Sequence, residues 1–182
     1  MKKFAMLVLA ICFGLASAAV VRADDKKTGP TLETIKKLAG DWVEVGKDGK
    51  PTDTVVSNIR VTAGGSTVVE TLFPGTPHEM LTVYNMDGKD LVLTHYCILG
   101  NQPRLRAAQS DDPKTLNFKF EGGANIDPAK SNHMHEATIT LVDADHIKSV
   151  WTRCDEGKPC ETKDFSLVRK AKLAAPKAGV IQ

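Results

Sequence analysis

Leu38-Ala39-Gly40-Asp41-Trp42 marks the point where the chain changes period. Upstream, Thr31 can cap a helix over 31–38 whose Leu32, Ile35 and Leu38 form one apolar stripe, and Gly40 ends it. Downstream, no 3.6-residue pattern persists. Runs with strand character follow one another instead, at 42–46, 54–61, 67–73, 79–85, 90–98, 103–110, 115–121, 133–142, 146–154 and 160–169. Leu116, Phe118 and Phe120 against Asn117, Lys119 and Glu121 give the cleanest alternation of a dry and a wet face. Met86-Asp87-Gly88-Lys89 and Asp111-Asp112-Pro113-Lys114 read as hairpin turns, and 122–132 as the longest loop.

This pattern predicts an all-β fold: an antiparallel up-and-down barrel of about ten strands with one short N-terminal helix. A two-sheet sandwich fits the same spacing. A barrel is favoured because closure leaves no long strand edge exposed.

The first 23 residues stand apart. Lys2-Lys3 precede an apolar run from Phe4 to Val21, and Val21-Arg22-Ala23 offers a cleavage site, the layout of a secretory signal peptide. Residues 24–30 read as a disordered leader, 31–170 as the barrel domain and 171–182 as a flexible tail. Removing Lys2, Lys3 and Arg22 turns the formal charge from +2 to slightly negative. With no basic stripe, nucleic acid is not an expected partner, and no stable membrane span is expected once the signal is cleaved. The predicted compartment is periplasmic or secreted. There, Cys154 and Cys160, flanking the turn-rich 155–159, are expected to form a disulfide, leaving Cys97 as an odd thiol.

Chemistry-bearing residues cluster in Thr94-His95-Tyr96-Cys97-Ile98-Leu99-Gly100-Asn101-Gln102-Pro103-Arg104 and in His133-Met134-His135. Alternation puts His133 and His135 on one face with Ala137, Ile139 and Leu141, while the phase of His95 is open because both faces of its strand are apolar. If all three imidazoles point inward they could hold a transition metal or serve a haem or enzymatic site, with Cys97 nearby. The leading reading is a pocket for a small ligand, with polar contacts from His95, Tyr96, Asn101, Gln102, Arg104, His133 and His135, and Tyr84 as a weaker candidate. A purely structural polar core is the third reading. Arg104 and Arg106 share a face; turned inward, they would need acids such as Glu70 or Glu79. Neither a G-x-S-x-G turn nor a phosphate-binding loop occurs, and a Cys97 nucleophile has no support beyond proximity to His95.

Gly40-Asp41-Trp42 at the join of helix and first strand resembles the G-x-W signature of lipocalins and the wider calycins. That resemblance implies a Trp packed across the closed end of a barrel beneath an Arg from a late strand, and Arg169 stands where that Arg would fall. The run from Thr76 to Tyr84, the His95–Arg104 segment and His133-Met134-His135 together resemble a family of exported, lipocalin-like bacterial proteins of unknown function. The start is also similar to the G-x-W-x-G-x-G of nitrobindin-type haem barrels. Gly40, Trp42 and Gly46 match it, but Glu44 replaces the middle glycine and no proximal His can be assigned.

Overall fold

The computed structural model describes residues 29–110 and 112–170, with Cys160 in backbone only. The expected leader up to residue 28, the signal segment and the tail from 171 lie outside the described residues. A short helix α1 (Leu32–Lys36) is followed by β1 (Gly40–Val45), β2 (Pro51–Thr62), β3 (Thr67–Leu72), β4 (Met80–Asp87), β5 (Asp90–Tyr96), β6 (Gln102–Ala107), β7 (Thr115–Ala124), β8 (His133–Leu141), β9 (His146–Asp155) and β10 (Lys158–Arg169). Each strand pairs antiparallel with the next, and β1 pairs with β10, so the sheet is a closed ten-strand barrel. All ten strands fall on the runs of alternating sequence. The closing seam is short: Trp42 lies opposite Arg169, Val43 opposite Val168 and Glu44 opposite Leu167.

Inward residues follow the two-residue period. Leu116 and Phe118 of β7, Leu91 and Leu93 of β5, and Ala137 and Ile139 of β8 are buried, as are Trp151, Leu167, Val68 and Tyr84. The stripe of α1, Leu32 and Ile35 with Leu38 just beyond it, plugs one end of this core.

That end is closed by the G-x-W segment, as its resemblance implies. Trp42 is fully buried and donates through Nε1 to the Leu38 carbonyl at 2.8 Å. The Arg169 guanidinium lies 4.4 Å from the Trp42 ring centroid, within cation–π range. It also donates to the carbonyls of Ala39 and Lys37, which α1 leaves without intrahelical partners, at 2.7 and 3.1 Å. Gly40 is required here: its φ is +137°, and a Cβ would approach Arg169 Nη1 to 2.9 Å. Gly40→Ala is therefore expected to lower the unfolding free energy by about 1–3 kcal/mol, read from urea titration.

β1 begins at this end, so strand alternation assigns the connections. The β2–β3, β4–β5, β6–β7 and β8–β9 links lie at the closed end; the 46–50, 73–79, 97–101, 125–132 and 156–157 links crowd the opposite, open end.

Arg104 and Arg106 share a face, as expected, but it is the outer one, because Pro103 and Leu105 take the inward positions of β6. Arg104 donates to Asp87 and Glu121, and Arg106 to Asp87, Asp90 and Glu121, tying β4 through β7 together from outside. The Arg106 hydrogen bond is the main reason Asp87 is held below the usual carboxylate range. These half-exposed pairs set register more than they stabilise.

Candidate functional site

At the open end the barrel interior widens into a cavity of about 410 Å³ that communicates with solvent. Leu72, Phe73, Met80, Ile98, Met134, Trp151 and Phe165 supply its apolar wall, with Thr76, His78, His95 and Lys163 as its polar members. Volume and composition match those of small-molecule sites, mostly apolar with few polar groups.

His95 is the cavity's buried polar feature. Its phase resolves inward, with Leu91 and Leu93, because Thr82 faces it directly across the β4–β5 ladder. Thr82 Oγ1 and His95 Nδ1 are 2.9 Å apart, and both residues are essentially inaccessible to solvent. The Trp151 ring lies 5.1 Å from the imidazole. His95 Nε2 is buried and has no hydrogen-bond partner among the described residues. Burial lowers the His95 pKa to about 4, so the ring is neutral near pH 7.

Thr82 engages His95 Nδ1 in either tautomer, as donor to it or as acceptor from it. Thr82 is buried, and its hydroxyl hydrogen has His95 Nδ1 as its available acceptor. Either way one buried polar hydrogen is left unmatched, on Thr82 Oγ1 or on His95 Nε2, at a cost of about 1–3 kcal/mol. His95 Nε2 is thus a buried ring nitrogen beside the cavity without a partner among the described residues.

The remaining expected site residues are distributed differently. His133 and His135 do not reach the cavity, because a register shift between Met134 and Glu136 in the β8–β9 ladder inserts His135 as an extra residue and breaks the alternation. Met134 faces the cavity in their place. His133 Nδ1 donates to the Ser131 carbonyl at 2.8 Å, which makes its Nε2 the acceptor for His135 Nδ1–H at 3.1 Å. Phe120 packs on both rings, with centroids at 4.5 and 5.2 Å. The three-imidazole tripod is thus not assembled, and among the described residues no three His, Cys, Asp or Glu side chains gather as a metal-holding group.

Asn101 is buried and donates to the Asn132 carbonyl at 2.7 Å, clamping the 97–101 turn to the 125–132 loop. Gln102 accepts from Asn125 at 3.2 Å. Tyr96 is about half exposed on the outer face, opposite the exposed Leu81. Arg104 is committed to the outer ion-pair network. Of the seven expected contacts, His95 alone lines the cavity. Burial raises the Cys97 thiol, opposed by the Leu99 and Ile98 N–H groups, which is the wrong direction for a nucleophile. The expected Cys154–Cys160 disulfide involves a side chain outside the described set.

Tyr84 faces inward but lies deeper. Its hydroxyl and that of Ser57 donate to the two oxygens of Glu70, each at 2.7 Å. Glu70 is interior, as its alternation with Val68 and Leu72 requires, and burial raises its pKa. The sequence reading missed Leu72, Phe73, Met80, Trp151, Lys163 and Phe165. Nothing local to those residues said that the barrel would widen there. Thr82 was missed because its meaning comes from facing His95 across the ladder.

Compared with protein-family models, with curated proteins and with solved structures, the chain finds no match.

Proposed function

We infer that this chain is an exported, lipocalin-like barrel that binds a small, largely apolar molecule in its open-end cavity. The His95 Nε2–H would donate to an uncharged acceptor on that molecule. The carrying observation is an apolar cavity of about 410 Å³ with His95 among its lining residues, the ring's Nε2 buried without a partner among the described residues. Leaving such a donor unmatched costs about 1–3 kcal/mol, which an acceptor on the ligand would recover. The leader-like first 23 residues support export, and the Trp42–Arg169 closure supports the calycin likeness.

The test is fluorescence titration with aminoanthracene, a neutral apolar reporter, followed by displacement with methyl decanoate and with decane. Saturable binding near one per chain is expected. In Thr82→Val/His95→Leu, methyl decanoate should lose about tenfold in affinity while decane changes little, about 1.4 kcal/mol for one hydrogen bond. Failure of the reporter to bind would sink the reading.

A further inference from the structure

The charge on the cavity wall is one-sided. Lys163 supplies a cation, the His95 imidazole is neutral, and no carboxylate is among the lining residues. Lys163 faces Trp151 across the β9–β10 ladder and lies two residues before Phe165, so the strand period turns it inward at the rim. Its Nζ sits 5.8 Å from the Phe165 ring centroid. No acid among the described residues pairs with it. Glu161 pairs with Arg153 at 3.0 Å, and Glu79 accepts the Gly75 N–H at 2.6 Å.

We propose that the ligand is an amphiphilic monoanion, its acidic headgroup held at the rim by Lys163, its apolar body in the cavity, and an uncharged acceptor at its far end on His95. This rests on the ligand-binding reading of the cavity. Solvation sets the orientation. At the exposed rim an anion keeps part of its water while pairing with Lys163, whereas the buried neutral His95 cannot offset the desolvation of a full charge. Carboxylate, sulfate and phosphate monoesters share this chemistry.

Monomethyl sebacate and dimethyl sebacate separate the two claims, since they differ in one charge and each carries an ester acceptor. Both are run as competitors against aminoanthracene on the full folded chain, wild type and Lys163→Met. Lys163 is exposed, so the variant should fold. On the wild type the monoacid is expected to bind about fivefold tighter than the diester, the scale of an exposed ion pair. That preference should shrink between about 0.05 and 0.5 M salt. In Lys163→Met the two affinities should converge, with the diester unchanged within about twofold. Equal affinities on the wild type, a preference that survives Lys163→Met, or displacement by neither sebacate overturns the headgroup assignment while the cavity still binds its reporter. If aminoanthracene itself fails to bind, the cavity reading falls and the headgroup assignment falls with it.

Discussion

Trp42→Ala is expected to destabilise the barrel by about 3–5 kcal/mol, a large part of the 5–15 kcal/mol typical of a domain. Trp42 is fully buried, and its ring is sandwiched between the core and the Arg169 guanidinium. Removing it opens a cavity beneath a cation whose remaining bonds are to the Ala39, Lys37 and Ala144 carbonyls and to Asp145. The loss therefore combines packing, the cation–π contact and the short β1–β10 seam in which Trp42 faces Arg169. Trp42→Phe keeps the ring but loses the Nε1 bond to Leu38, and should cost about 1–2 kcal/mol. Urea unfolding followed by circular dichroism measures both. A Trp42→Ala midpoint within experimental error of the wild type would show that the closed end is not a structural keystone.

Acid is expected to weaken the fold through His95 by about 3 kcal/mol. In the unfolded chain this group titrates near 6.5; in the barrel, burial lowers it to about 4. Between those values the unfolded state binds a proton that the native state refuses. The contribution is fully present above about pH 6.5 and is lost as pH falls toward about 4, at about 1.4 kcal/mol per pKa unit. Glu70 acts with the opposite sign. Its pKa is raised by burial, against the hydrogen bonds from Ser57 and Tyr84, so its contribution is complete below the ordinary carboxylate value and declines as pH rises through the raised one. The wild-type curve contains both effects, and paired variants separate them. The wild type minus Thr82→Val/His95→Leu should fall with acidification. The wild type minus Glu70→Gln should fall with alkalinisation above about pH 4.5. The Thr82→Val/His95→Leu variant should be as stable as the wild type at pH 7 or more so, since it removes an unmatched buried donor together with its partner.

The fold was largely legible in the chain because a barrel is written in a local code. Alternation such as Leu116, Phe118 and Phe120, turns such as Gly88-Lys89, and the switch at Gly40 each concern a few neighbouring residues, and all ten strands follow from them. Trp42 and Arg169 came from resemblance and met as expected across the closing seam. The site was less legible because it depends on departures from the code. One extra residue at His135 turns Met134 to the cavity and sends the histidine pair against Phe120, an outcome that alternation over 133–141 cannot express. The face of Arg104 was settled by Pro103 and Leu105 taking the interior. His95 gains its significance from Thr82, thirteen residues away, which engages one ring nitrogen and leaves the other buried without a partner among the described residues.

Native mass spectrometry on protein recovered from its own host, paired with denaturing and elemental analysis of the same sample, tests the central claim most directly. The account predicts one bound organic molecule per chain, released on denaturation, with an uncharged acceptor group and without stoichiometric metal or haem. It also predicts a reduced bound fraction in Thr82→Val/His95→Leu. Stoichiometric metal lost with the His95 variant would contradict the pocket chemistry proposed for His95, and a bound molecule retained equally by wild type and variant would contradict the role given to His95.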